Sequence, residues 1–193
     1  MALAKPALVC LALAATLLTG CSQPDPIGQP TYLCTPSEGS TPYSCYQVQY
    51  EEKLKEDRLY AEAETVYRKF LAEDERIYRA GGVTEPTPVM LESLTGEGLK
   101  QATDTYRGLK ADGTVITQGA FKLVYLRRAT KEVKNDSVAT LESCIDGTSI
   151  VFREGKTTYA GNISLERAYF SNTDGGLKIS SFMSFEGTVS SCE

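Results

Sequence analysis

Apolar positions along the middle of this chain follow two different periods, and the change falls near Gly113. Between residues 44 and 82 the sequence reads SCYQVQYEEKLKEDRLYAEAETVYRKFLAEDERIYRAGG. Leu59, Ala63, Val66, Phe70 and Ile77 recur at intervals of three, four or seven, so they share one face of a helix. Ser44 and Gln47 have capping-box spacing, and Gly81-Gly82 supplies the stop. Glu51/Lys55, Glu64/Arg68 and Glu75/Arg79 are i,i+4 pairs in the favourable order, on a face read as solvated. A helix of about 35 residues makes a rod of roughly 50 Å, longer than one compact domain, so its first turns are expected to protrude or break. Two short helices are expected next, over 88–94 and 96–108, punctuated by Gly96 and Asp112-Gly113.

Beyond Gly113 the period becomes two. Phe121, Leu123 and Tyr125 alternate with Lys122 and Val124, and Ala139, Leu141 and Ile145 with Thr140, Glu142 and Cys144. Asp146-Gly147 is a turn signal. The runs TSIVFRE, KTTYA, NISLERAYFS and LKISSFMSFE continue the pattern, with Leu177, Ile179, Met183 and Phe185 placed on one face. This predicts an antiparallel sheet of roughly four to six strands. Helices followed by a meander of strands give an α+β class, with a long N-terminal helix and short helices packed on one face of a curved sheet.

The first 46 residues belong to a different regime. The apolar run from Ala7 to Leu18 is too short for a membrane span, which takes about 20 residues. It follows a single charge, Lys5, and ends in small residues, the layout of a secretory signal peptide. Its end, Leu18-Thr19-Gly20-Cys21, resembles a bacterial lipobox, in which the cysteine thiol is acylated and the chain is cut before it. The resemblance implies a signal peptide over 1–20 and a lipidated Cys21 that anchors the protein, palmitate being a typical acyl group, to the outer face of the cell membrane. Pro24, Pro26, Pro30, Pro36 and Pro42 are five of the eight prolines. They read as an extended tether over 21–46, ahead of a domain over 47–193.

Composition narrows the chemistry. The net charge is −5, and removing the leader takes away one more positive charge, Lys5. Such a surface disfavours nucleic acid. There is no His, which excludes Ser-His-Asp and Cys-His catalysis and His-dependent metal sites. No CxxC pair occurs, and neither a metal nor a cofactor is expected. Cys10 falls in the leader and Cys21 carries the anchor, leaving Cys34, Cys45, Cys144 and Cys192. An even number in an exported chain reads as two disulfides with three possible pairings. Local closure across TPSEGSTPYS favours Cys34–Cys45, and Cys144–Cys192 then follows by exclusion.

The order of elements carries a resemblance. A long first helix ends in YRKFLAEDERIYRAGG, TPVMLESLTGEGL follows, and a strand carries ATLESCIDGTSIVF. Over about residues 47–193 the chain is similar to the nuclear transport factor 2-like (SnoaL-like) domains of actinobacterial lipoproteins. That family implies a cystatin-like cone, in which a sheet curls around a cavity against the long helix, and its members often dimerise through the sheet. Its enzymes, dehydratases and isomerases, place an Asp, Tyr or His in the cavity. The resemblance leaves Asp104, Tyr106, Tyr125, Glu142, Arg167 and Tyr169 as candidates, with Tyr125, Glu142, Arg167 and Tyr169 proposed as cavity residues.

Arg167 shares strand parity with Ile163, Leu165 and Tyr169. If that face is buried, the charge needs a partner, and Glu142 can supply one; the alternative is that Arg167 snorkels to the rim. Asp146 reads as a turn residue. The leading expectation is a lipid-anchored extracytoplasmic binding or interaction domain without enzymatic activity, whose partners are the membrane and another envelope protein. A small-molecule binding protein or cavity enzyme, and a phage-encoded superinfection-exclusion lipoprotein, are the alternatives. A closed interior filled with Leu and Phe favours the first; an open cavity with Arg167 and Glu142 exposed in it favours the second.

Overall fold

The structure, a computed structural model, describes residues 32–36, 41–132, 134, 136–185 and 190–192. The leader, Cys21 and most of the proline-rich tract therefore lie outside the described residues. The last part of the expected tether is not an extended spacer. Strands β1 (Tyr32–Cys34) and β2 (Tyr43–Cys45) form an antiparallel hairpin in which Cys34 faces Tyr43. A disulfide joins Cys34 to Cys45. Closing a loop this short across its own strands outweighs the resistance of Pro36 and Pro42 to regular structure.

Helix α1 spans Gln47–Ala80, 34 residues without interruption. The capping partners are not Ser44 and Gln47, because Ser44 is committed to β2 opposite Leu33. The Tyr46 backbone N–H instead donates to the Gln49 side chain at 3.0 Å. Nor is the helix broken near its start: the hairpin covers its first turns, with the Tyr32 ring stacked on Tyr50 at 5.0 Å between centroids. At the far end Gly81 takes the left-handed conformation, φ 72°, and Gly82 donates back to the Ile77 carbonyl. An L side chain at Gly81 would be strained there.

Helix α2 covers Pro88–Ser93, capped by Thr87, whose hydroxyl accepts from the Met90 N–H. Helix α3 covers Gly96–Asp112, four residues beyond its expected end at 108. Gly98 lets α3 lie directly on the last strand; a Cβ there would sit 2.9 Å from the Ile179 carbonyl oxygen.

The period-two region forms two antiparallel sheets where one was expected. Strands β4 (Lys122–Arg128), β5 (Ala139–Asp146), β8 (Ile163–Thr173) and β9 (Gly176–Ser184) pair in the order β4-β5-β8-β9. Strands β3 (Thr114–Gln118), β6 (Val151–Glu154) and β7 (Thr157–Ala160) pair in the order β3-β6-β7. The core lies between α1, α3 and the four-stranded sheet. Tyr67, Ile77, Met90, Leu94, Leu141, Ala168, Phe170 and Ile179 are almost wholly shielded from solvent there.

Two bulges change the faces read from alternation. One falls between Leu123 and Tyr125, so Leu123 and Leu126 pack on the core while Tyr125 turns to the opposite face. The second sets Tyr169 opposite Ser181 and Phe170 opposite Ile179, leaving Ser180 as the extra residue. Leu177 and Ile179 are buried as expected, but past Ser180 the core position belongs to Phe182, and Met183 is exposed. A one-residue insertion reverses every side chain beyond it.

Candidate functional site

The cavity lies between α1, α3 and the sheets, with a volume of about 530 Å³. This is within the usual range for small-molecule sites, about 300–1,000 Å³. Helix α1 aims Phe70, Asp74 and Tyr78 into it at successive four-residue steps, and α3 adds Tyr106. Phe121, Phe152, Phe182 and Glu166 complete the wall. Tyr78 is the hub of the aromatic lining, meeting Tyr106, Phe121 and Phe152 edge to face at 5.7–6.1 Å. Phe70 and Phe182 meet at 5.3 Å.

Two carboxyl groups stand in this aromatic wall, and each is held by a tyrosine. The Tyr106 hydroxyl donates to Asp74 Oδ1 at 2.5 Å. The Tyr67 hydroxyl donates to Glu166 Oε1 at 2.5 Å and contacts the Ser143 hydroxyl at 2.7 Å. No Lys or Arg is found among the described residues lining the cavity. Burial raises the Asp74 carboxyl to about 7, against the Tyr106 hydrogen bond, and repulsion from Glu166 and Glu75 adds to the rise. Burial likewise raises Glu166, partly offset by Tyr67. Tyr106 and Tyr67 are pushed up by burial and by the carboxylates beside them, and Tyr78 by burial and Asp74. The arrangement therefore offers one carboxyl near neutrality, Asp74, and a second, Glu166, raised in the same direction, inside an aromatic chamber.

The residues expected in the cavity are elsewhere. Leu141, Ala168 and Phe170 point to the core, and Ser143 reaches Tyr67 on α1. Glu142, Arg167 and Tyr169 have the opposite parity, so they sit on the outer face of the sheet, where the first bulge also sends Tyr125. Central strand β5 is buried on both faces, and a buried position in it does not by itself identify the cavity side.

On that outer face the structure brings Glu142 and Arg167 together. Arg167 donates to Glu142 Oε2 at 3.1 Å and pairs with Glu132 at 3.0 Å, and its guanidinium lies 4.7 Å from the Phe185 ring centroid. Arg127 and Tyr125 both donate to Glu142 Oε1, at 3.0 and 3.3 Å. Burial alone would raise the Glu142 carboxyl, but the two guanidiniums together hold it below the usual range. Arg167 does not snorkel: its side chain is 16% exposed. Glu142 and Arg167 also line a wide groove at the free edge of β4, about 930 Å³, with Arg127, Arg128 and Asp57. With its charges so fully matched, the cluster is suited to holding the sheet together. Tyr169 is buried beside it, its hydroxyl 3.9 Å from Met183 Sδ.

Cys144 shares this face and is joined to Cys192 by the second disulfide. Asp104 lies on the exposed side of α3, paired with Lys100 at 2.9 Å. Asp146 accepts from the Thr148 N–H and hydroxyl at 2.9 and 2.6 Å, which lowers its carboxyl and fixes the turn. Of the acid–base candidates, Tyr106 alone enters the cavity; Asp74 and Glu166 were missed. A signal for Asp74 was present, since Tyr67, Phe70, Asp74 and Tyr78 form one stripe in which a lone acid interrupts three aromatics.

No family model and no curated protein matches the chain. Among solved structures it is similar to the intermembrane space region of chloroplast protein ARC6. The identity is 19% over 66% of this chain and 96% of that chain, with a TM-score of 0.47. It is also similar to an NTF2-like protein with a cystatin-like fold from Novosphingobium aromaticivorans. There the identity is 18% over 71% of this chain and 86% of that chain, with a TM-score of 0.24. Likeness at this level carries no argument about activity, and the site is read from its own geometry.

Proposed function

We propose that this chain is a lipid-anchored, extracytoplasmic small-molecule binding domain built as a cone of the nuclear transport factor 2-like kind, and that it holds its ligand without transforming it. The observation that carries this reading is the open, aromatic-walled cavity of about 530 Å³ between α1, α3 and the sheets. Its size and aromatic wall, with a few convergent polar groups, are those of a small-molecule site. The two disulfides support an oxidising compartment. The Leu18-Thr19-Gly20-Cys21 motif supports the anchor. Neither carboxyl group is coupled to a nucleophile. Each holds a tyrosine whose own proton is bound more tightly than usual, which favours binding over covalent chemistry.

A second reading has one observation in its favour. A carboxyl raised to about 7 is placed to act as a general base on an acidic C–H of a bound ligand.

The cavity reading is tested with nile red, a neutral fluorophore whose emission shifts to the blue in apolar surroundings. Saturable one-to-one binding is expected. Thr105→Trp, at the exposed rim of the cavity, should abolish it without changing the melting temperature; binding that survives the plug contradicts the reading. The anchor is tested separately, since Cys21→Ala should move the protein from the detergent phase to the aqueous phase.

A further inference from the structure

We propose that the cavity selects a small organic cation, an ammonium group on an apolar or aromatic body, with Asp74 and Glu166 as its counter-charges. This rests on the cavity-binding reading above and names the ligand class. Two carboxyl groups from separate elements, α1 and β8, line one chamber with no cationic residue among the described lining residues. Each is half-satisfied: Tyr106 holds Asp74 Oδ1 and Tyr67 holds Glu166 Oε1. Among the described residues no hydrogen bond reaches the second oxygen of either group. On the outer face, by contrast, both oxygens of Glu142 are taken by arginines. The protein thus pairs its structural carboxylate completely and leaves the cavity carboxylates open to whatever enters.

Half-shielding a carboxylate in an aromatic wall without a counter-charge is unfavourable, and a cation in the cavity relieves it. An anion meets repulsion from both groups, and a neutral ligand leaves their charge uncompensated. The walls fit the same class. Phe70, Phe121, Phe152, Phe182, Tyr78 and Tyr106 surround the acids, and aromatic faces attract ammonium groups.

The groups facing Asp74 are Tyr106 from α3, Glu166 from β8, and Tyr67, Glu75 and Tyr78 from α1 itself, with Tyr159 of β7 acting on Tyr78. Burial raises the tyrosines of the chamber, so Asp74 is the group placed to change charge near neutrality. Affinity for a cation therefore rises with pH as Asp74 ionises.

The experiment is calorimetric titration of the full-length protein with benzyltrimethylammonium, which has no titratable proton, and with benzyl alcohol and phenylacetate. At about pH 8.5 the cation should bind one to one, at least about tenfold tighter than either other probe. Lowering the pH to about 5.5 should weaken it about tenfold as Asp74 gains a proton. Asp74→Asn and Glu166→Gln should each lower the preference for the cation over benzyl alcohol by a similar factor. Equal affinity for benzyl alcohol, or a cation affinity indifferent to Asp74→Asn in a protein that still binds nile red, overturns the charge assignment and leaves the cavity reading standing. If neither nile red nor any probe binds, both are overturned.

Discussion

Tyr106 and Asp74 are joined by a 2.5 Å hydrogen bond that ties α3 to α1 across the floor of the cavity. The bond supports the helix pair, but the acid it holds stands half-shielded in the cavity wall with no cation among the described lining residues. That combination separates packing from charge, and the two can be tested separately.

The Asp74 carboxyl titrates near 7 in the folded chain and near its ordinary 3.8 in the unfolded one. Between those values the folded state keeps a proton that the unfolded state gives up. Stability contributed by the protonated form is therefore full below about pH 4 and is lost as pH rises through about 7. Glu166, also raised, acts in the same direction. Asp74→Asn keeps an acceptor for Tyr106 and removes the charge. The variant should melt higher than the parent at about pH 8, with the difference vanishing near pH 4. Melting curves across this range check it, and parallel profiles at all pH values contradict it.

Glu142 titrates in the opposite sense. Its carboxyl is held below the ordinary 4.5 by Arg127 and Arg167, so its contribution is present above that value and is lost as pH falls below it. Glu142→Gln leaves the largely shielded Arg167 with Glu132 as its remaining counter-charge. Removing one partner of a buried pair costs about 3–5 kcal/mol, and the lower end applies because Arg127 is largely exposed. Urea denaturation at neutral pH measures the loss, and nile red binding should survive in the folded fraction. A loss below about 1 kcal/mol would mean that the cluster behaves as a surface ion pair.

What the sequence disclosed and what it hid follow from periodicity. The 3.6-residue stripe of α1 was readable because one face is buried along most of its length: Ala63, Phe70 and Ile77 are shielded, and Leu59 and Val66 pack beside them. The α+β class followed from the change of period at Gly113. The faces of the sheet did not, because strand β5 is buried on both sides and two bulges each displace one residue. The parity that joins Arg167 to Leu165 and Tyr169 holds, but that face is the outer one, and the neighbouring Glu166 faces the cavity. Asp74 was concealed in the run Glu73-Asp74-Glu75, whose charges resemble a solvated face. Glu73 is buried under its own partner Arg76, so even the flanking acid does not follow that rule.

Phe70 and Phe170 should respond differently to truncation. Phe170 is wholly enclosed in the core, whereas Phe70 packs on Phe182 with part of its ring toward the cavity. The cost of Phe→Ala, about 3–5 kcal/mol, depends on how many neighbours lose contact. Phe170→Ala should fall at the upper end and Phe70→Ala at the lower end. Phe70→Ala should also enlarge the cavity and change its nile red affinity, which Phe170→Ala should not. Equal stability losses with unchanged dye binding would remove Phe70 from the cavity wall.

The two disulfides close loops of very different length, and they sit in different parts of the stability of the fold. Cys144–Cys192 spans 48 residues and Cys34–Cys45 spans 11. Loop-closure entropy assigns them about 4 and about 3 kcal/mol. The difference in the intact protein should be larger. Cys144 lies in the central strand of the sheet, fully buried beside Glu142, so its bond constrains a segment that unfolds with the core. Cys34–Cys45 staples a peripheral hairpin that touches the first turns of α1 through Tyr32 and Tyr50. That hairpin can open while the core stays closed, and local opening hides much of its entropic contribution from the global transition. Cys144→Ala with Cys192→Ala should lower the melting temperature of the whole domain. Cys34→Ala with Cys45→Ala should instead raise amide exchange over residues 47–58 and leave the main transition nearly in place. Equal falls in melting temperature for the two double variants would make the hairpin part of the cooperative core.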